Sequence, residues 1–369
     1  MQYRSSKPVA IWLLVGVFMI IVQIILGGIT RLTGSGLSIT EWQPILGTLP
    51  PLNDQQWQHA FDGYKQIAQY KHLNSYFTLA DFKFIYFWEW LHRLWGRLIG
   101  LVFLIPFIIF IVQRRFSKDM IKPMIILFLL GGLQGLIGWI MVKSGLNEEN
   151  LYVSHIRLAI HFITALVLLV YTFWFALSLL IPKKAFVYQQ PSLKNFTVTL
   201  ISLLTIQLIY GAFMAGLKAA TYAPTWPSIN GDYVPTGITD YRGQHLSFIS
   251  AIVDNPIAVH FVHRNMAYLI CVLILIWTIR ALRIKCKGVY AVAKWLPLFF
   301  VVLQTGLGIG AVLTSPKAIV HGWGTFEWFA QLHQLVAILL LLSLILLVFV
   351  IHRKKKIIKQ TVAVDLHVI

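Results

Sequence analysis

The sequence predicts an all-α integral membrane protein: eight transmembrane helices arranged as two parallel-repeat four-helix bundles, with both termini cytoplasmic. Three observations lead there: apolar residues gathered into eight long blocks, basic residues gathered into alternate connecting segments, and a second half that restates the first. Of 369 residues, 58% are hydrophobic and 12% charged, and the mean hydropathy is +0.73. Soluble domains carry about a quarter charged residues, so an ordinary globular protein is excluded. A net charge of +18 in a soluble chain would suggest nucleic acid. Here the cations sit in short segments between apolar blocks, so a lipid bilayer is the expected partner and nucleic acid is not. Two cysteines, Cys271 and Cys286, are too few for a disulfide framework or a Cys-based metal site.

The first block, Val9–Ile29, follows Arg4 and Lys7 as a signal peptide would. It is longer than a typical signal core, and it runs through Gly27-Gly28 into Ile-Thr-Arg with no cleavage site, so it reads as a helix. The remaining spans are Phe84–Val112, Ile121–Val142, Leu158–Ile181, Phe196–Leu217, Ile257–Ile279, Val292–Leu313 and Trp328–Ile351. All are near or above the roughly 20 residues that a bilayer requires. Gly131–Gly135 and Gly306–Gly308–Gly310 have the spacing of close helix packing. Thr33-Gly34-Ser35-Gly36 lacks the strand–helix setting of a phosphate cradle and reads as a turn.

The connections divide by charge. The N-terminus, 113–122, 182–195, 280–294 and the tail hold 19 Lys and Arg against two acids, Asp119 and Asp365. Segments 30–83, 143–157, 218–256 and 314–327 hold nine against ten acids. The positive-inside rule then places the termini in the cytoplasm and the two long loops outside. The tail His352-Arg353-Lys354-Lys355-Lys356 reads as an anchor at an anionic membrane surface.

The repeat fixes the organisation. Gln23, Gly27, Trp42, Gly47 and Pro51 recur 184 residues later as Gln207, Gly211, Trp226, Gly231 and Pro235. After the longer first loop the offset falls to 170–172, carrying His92 to His263, Gln134 to Gln304, Gly138 to Gly308 and His161 to His333. Residues 1–182 and 183–369 therefore form two halves of four helices each. An even number of spans per half makes the repeats parallel, with equivalent sites at equal depth.

Of twelve histidines, His59, His72, His245, His352 and His367 lie in outer loops or the tail, and His155 and His321 lie in outer segments near helix starts. His92, His161, His263 and His333 instead fall inside spans two, four, six and eight, each toward the outer end. Ionisable groups so placed are costly and usually face the bundle interior. Any one could be a polar interhelical contact; four at one depth, two per half, point to two pairs of metal-ligating imidazoles. Paired imidazoles with no thiolate or carboxylate beside them suit the axial positions of haem iron. Zinc or copper would call for a third or fourth ligand.

Arg93, Arg97 and Arg264 lie close to these histidines, where they either pair with carboxylate tails of an anionic guest or snorkel to lipid phosphates. Glu89 is the only acid within the eight spans as drawn, and it lies three residues before His92, on the same helix face. Its repeat partner is His260. Glu89 either neutralises Arg93 or Arg97, or manages protons released when a bound substrate is oxidised; the broken symmetry favours the second.

The segments Gly28-Ile-Thr-Arg31-Leu-Thr-Gly-Ser-Gly-Leu-Ser38, Glu41-Trp-Gln-Pro44, Phe87-Trp-Glu89-Trp-Leu-His92-Arg93-Leu-Trp-Gly96-Arg97, Val262-His263-Arg264 and Gln331-Leu-His333 resemble the haem A synthase family over about residues 8–350. The resemblance implies oxidation of the C8 methyl group of haem O to a formyl group, through successive hydroxylations with water-derived oxygen. It implies that His263 and His333 ligate a resident haem b, that His92 and His161 flank the substrate haem O, and that Glu89 is the assisting acid. A haem O synthase that supplies the substrate and an unidentified electron acceptor are the implied partners. Some members carry a cysteine pair in the first outer loop; residues 30–83 here have none, as in the branch shared by alphaproteobacteria and mitochondria, so no thiol relay is expected. With no Arg- and Ser-rich presequence, a bacterial inner membrane is expected, with the haem sites toward the periplasmic side. The competing reading is a di-haem electron carrier of cytochrome b type. A transporter ranks below it, since the spans show neither broken helices nor a chain of acids.

Overall fold

A computed structural model of the chain describes residues 7–41, 46–189, 191–319 and 321–353. Its helices run in order α1 (Lys7–Leu32), α2 (Asp54–Tyr64), α3 (Leu79–Val112), α4 (Lys118–Lys143), α5 (His155–Leu180) and α6 (Pro191–Gly216). Then follow α7 (Ala219–Tyr222), α8 (Phe248–Asp254), α9 (Pro256–Leu282), α10 (Val289–Ala293), α11 (Leu296–Thr314) and α12 (Thr325–Val350). Among the described residues eight helices are long and apolar enough to cross a membrane, and they coincide with the eight spans read from the sequence.

The helix ends differ from those spans for local reasons. Most helices start further out, because polar caps lie beyond the apolar run. Thr78 and Asp81 form a reciprocal capping box that starts α3 five residues before Phe84. Asn255 caps α9 through Ile257 N at 2.9 Å, with Pro256 in the first turn. The seventh span starts later, at Leu296, because Val292 and Ala293 belong to the separate helix α10.

In the first half α1 packs on α3 and α5, and α4 packs on α5; in the second, α6 packs on α9 and α12, and α11 packs on α12. The halves meet where α5 touches α6 and where α1 touches α12, with α5 against α12 between them. These are the pairings that a two-fold relation between the halves requires. The inner helices α1, α5 and α12 bury half or more of their most apolar windows, whereas α3 buries none of its own. Ile105, Ile108 and Val112 of α3 are exposed accordingly, as side chains facing hydrocarbon would be.

On one face of the bundle β1 (Val187–Gln189) pairs in parallel with β4 (Ile351–Arg353), joining the connection after α5 to the end of α12. On the other face the long connections are partly folded. Helix α2 packs on α3 around Phe61, Tyr64, Phe82 and Ile85, a second apolar core where the sequence suggested only a loop. A two-residue hairpin, β2 (Asp240–Tyr241) with β3 (Gln244–His245), turns at Arg242 and Gly243, both at positive φ. Of the sequence features above, Arg4, Trp42, Pro44 and Lys354–Lys356 lie outside the described residues.

The glycine stripes turn out differently from a helix-packing seam. A Cβ added at Gly131, Gly132, Gly135 or Gly306 would meet nothing within 4 Å, so those positions make no close contact among the described residues. Gly308 and Gly310 do, against the rings of His333 and Phe329.

Candidate functional site

His92, His161, His263 and His333 all line one large internal cavity of about 1260 Å³ that reaches into both halves. That exceeds the roughly 300–1,000 Å³ of a pocket for a drug-sized ligand. In the second half the rings of His263 and His333 lie edge to face, 69° between their planes, with centroids 6.4 Å apart. A single metal atom fits between rings so spaced, with bonds of about 2 Å to a nitrogen on each side. The Nδ1 atoms of His92 and His263 are buried with no hydrogen-bond partner among the described residues. Nor does any cluster of three or more His, Cys, Asp and Glu suited to a metal ion occur among them. Paired imidazoles without further ligands, in a wide and mainly apolar cavity, fit haem and do not fit a tetrahedral metal site.

Each of these histidines meets a glutamine from the preceding long helix. Gln23 Nε2 donates to His92 O at 3.1 Å, Gln134 Nε2 to His161 O at 2.9 Å, and Gln207 Nε2 to His263 O at 2.9 Å. Gln304 Nε2 lies 3.1 Å from His333 Nε2, while the Gln304 carbonyl is 3.0 Å from His333 Nδ1. The sequence had shown these glutamines only as markers of the repeat.

Glu89 is buried one turn above His92 and also lines the cavity. Its Oε2 accepts from Ser38 Oγ at 2.7 Å and from Ile39 N at 2.9 Å, and its Oε1 pairs with Arg93 Nη2 at 2.6 Å. Ser38 reaches it because the Thr33–Gly36 turn folds the chain back over α3. Ser35 N closes on Thr30 O, Gly34 takes positive φ, and the Thr33 and Ser35 hydroxyls share a hydrogen bond. That turn is therefore what presents two donors to Glu89.

The arginines separate. Arg93 is held by Glu89 and by Ile39 O at 3.0 Å. Arg97 lines the cavity one turn further on. Arg264, the repeat partner of Arg93, has no glutamate beside it: His260 stands where Glu89 would be. Arg264 is buried, and its Nε and Nη1 find no acceptor among the described residues. Two unmatched guanidinium N–H groups at a cavity wall suit a carboxylate guest.

One acid was misplaced by the sequence reading. Glu327 falls one residue outside the eighth span as drawn, yet it lies buried in the first turn of α12. Its carboxylate accepts from Ile319 N at 2.9 Å and Gly324 N at 2.8 Å, and Arg31 lies within electrostatic reach. It caps a helix rather than flanking a histidine. His321, which the sequence places in an outer segment near a helix start, bridges the halves through Thr33 O and Asn74 Oδ1 at 3.1 and 2.9 Å. Its signal in the sequence was weak, because both partners lie more than 240 residues away.

Comparison with known proteins agrees with this geometry. Residues 10–345 match the family model COX15-CtaA, described as "Cytochrome oxidase assembly protein". The chain is 37% identical to a protein of Flavobacterium johnsoniae over 357 residues, which cover 96% of this chain and 99% of that one. It is 42% identical to a protein of Rhodospirillum centenum, covering 87% and 85% of the two chains. It is 37% identical to one of Nitrosomonas eutropha, covering 91% and 92%. All three relatives carry the name "Heme A synthase".

Proposed function

This chain belongs to the haem A synthase family of cytochrome oxidase assembly proteins, and from that membership we propose that it oxidises the C8 methyl group of haem O to the formyl group of haem A. The observation that carries the assignment of sites is the broken symmetry between halves. Glu89, with three donors on its carboxylate, stands beside His92; His260 and an unmatched Arg264 stand beside His263. The first half is then the substrate site and the second the resident one.

In this reading His92 and His161 hold the iron of haem O, and His263 and His333 hold that of haem b. Arg264 receives a propionate of the resident haem. Arg97 is the candidate for the equivalent role at the substrate, since Arg93 is committed to Glu89. When bound, haem b supplies a one-electron carrier next to the substrate pocket.

Conversion of the methyl group requires one oxygen atom from water and releases four protons and four electrons, passing through an alcohol and a hydrated aldehyde. Among the described residues Glu89 is the cavity-lining carboxylate beside His92 on α3, and we assign it to accept protons there. Arg93, Ser38 and Ile39 N fix its two oxygens, so the carboxylate meets the substrate in one orientation. The apolar cavity wall keeps the oxidised edge of the porphyrin out of bulk water. An acceptor must take the four electrons, and a haem O synthase must supply the substrate. The basic connections support a β1–β4 face in the bacterial cytoplasm and both haem sites toward the periplasm.

The test is extraction of pigments by acid–acetone from cells making the full chain or Glu89→Gln, followed by mass measurement. Haem A and hydroxymethyl haem are expected with the native chain. The variant should retain haem b without haem A; undiminished haem A would overturn the assignment.

A further inference from the structure

We infer that a Gln-x-x-x-Gly segment, present on four of the eight spanning helices, is the ligand-positioning element of each haem pocket; this deepens the reading above and rests on it. The four are Gln23/Gly27 on α1, Gln134/Gly138 on α4, Gln207/Gly211 on α6 and Gln304/Gly308 on α11. Four residues apart on a helix places each pair on one face, one turn apart. Each histidine-bearing helix follows one of these in sequence and packs on it: α3 on α1, α5 on α4, α9 on α6 and α12 on α11. The chain is thus built from four hairpin-like units, each with a Gln-x-x-x-Gly helix and a His helix.

Within each unit the two residues grip the imidazole differently. Nε2 of Gln23, Gln134, Gln207 and Gln304 lies 3.1–3.4 Å from a ring nitrogen of its histidine. In three of the units the same amide nitrogen also donates to that histidine's carbonyl. The glycine takes the ring's Cε1 edge. A Cβ placed there would lie 3.1 Å from His92 Cε1, 2.8 Å from His161, 3.5 Å from His263 and 2.8 Å from His333. At His92, His161 and His263 the ring therefore sits in a slot with a polar clamp at one nitrogen and a missing side chain at Cε1; at His333 Gln304 touches both nitrogens, so its amide contact at Nε2 must open for iron to bind there.

General helix packing would predict the same closeness at the neighbouring glycines; Gly310 has it, against Phe329, but the others on α4 and α11 do not. Gly131, Gly132 and Gly135 of α4 and Gly306 of α11 meet nothing within 4 Å, whereas the glycines four residues after the glutamines all meet an imidazole. An axial histidine whose ring is fixed from outside keeps its orientation toward the iron, and such outer partners tune a bound metal. The four glutamines and four glycines are positioning residues in this sense; none of them ligates iron.

The experiment uses the purified full-length chain with its resident haem, read by ferric optical and EPR spectra, haem stoichiometry and midpoint potential. Gly308→Ala must push His333 aside, so the low-spin bis-histidine signature should be lost from most of the protein. Gly306→Ala, two residues away and facing open space, should leave it intact. Gly211→Ala, at an ordinary contact distance, should perturb the signature less than Gly308→Ala. Gln304→Leu adds no atom to the slot and should retain haem with a shifted low-spin signal and potential. An unaltered spectrum in Gly308→Ala overturns the inference, as does equal disturbance in Gly306→Ala. Should Gly308→Ala fail to accumulate, an unchanged signal and potential in Gln304→Leu overturns it alone. A native chain without a low-spin bis-histidine haem would instead refute the ligand assignment on which the inference rests.

Discussion

Arg93 Nη2 and Glu89 Oε1 are 2.6 Å apart, one turn of α3 separating them, and the Glu89 side chain is only 3% exposed. The pair commits Arg93 to Glu89, a partner other than the guest carboxylate or lipid phosphate weighed for it from the sequence. Removing a positioned proton acceptor typically costs about 10²–10⁴ in rate. Glu89→Gln should lower haem A formation by roughly that factor while leaving resident haem bound, measured as the haem A to haem b ratio in pigment extracts.

Ser38 offers a finer version of the same test. Its hydroxyl donates to Glu89 Oε2 at 2.7 Å from a turn 51 residues away in sequence. A hydrogen bond to a charged group contributes about 1.5–3 kcal/mol. Ser38→Ala should therefore slow turnover by roughly tenfold to a hundredfold, less than Glu89→Gln, because Ile39 N and Arg93 remain. Equal losses in the two variants would show that Ser38 does more than orient the carboxylate.

The contrast between Glu89 and Ser38 shows what sequence could and could not reveal. The spans were legible because hydrocarbon demands long apolar runs, and the four histidines were legible because such runs otherwise exclude ionisable groups. Glu89 stood out because its repeat partner is His260. Ser38, Ile39 and His321 did not, since loop residues acquire their partners only through tertiary folding. Glu327 was missed by one residue because a polar cap carries α12 beyond its apolar run. The glutamines and glycines were visible as a repeat, but their meaning required seeing which residues face them.

Arg264 should report on the second half. Its Nε and Nη1 are buried without an acceptor among the described residues, a costly arrangement unless an anionic guest completes it. Arg264→Gln removes that match and should weaken retention of resident haem by roughly tenfold to a hundredfold, from a charged hydrogen bond of about 1.5–3 kcal/mol. Titrating haem out of detergent-purified protein with a competing apoprotein measures this directly. Arg93→Gln should instead leave haem b retention near native and slow oxidation, because Arg93 serves Glu89.

His321 makes the contact between the outer segments of the two halves sensitive to acid. Its ring lies between Thr33 O and Asn74 Oδ1, with Phe77 edge-on at 4.6 Å. Burial pushes its pKa down, Lys218 adds to that, and the Thr33 carbonyl and Asp81 oppose it. The folded chain therefore binds the proton less readily than the unfolded chain, whose histidine titrates near about 6.5. The contribution of this contact to stability is whole above that pH and is lost as pH falls toward the lowered folded value. Hydrogen exchange at the amides of Ala68, Lys71 and Phe77, in the outer segment that carries Asn74, should accelerate between about pH 7.5 and 5.5 beyond the intrinsic trend. In His321→Gln, which keeps a donor but cannot titrate in this range, that acceleration should vanish. Identical pH profiles in the two proteins would mean that another group governs the outer contact.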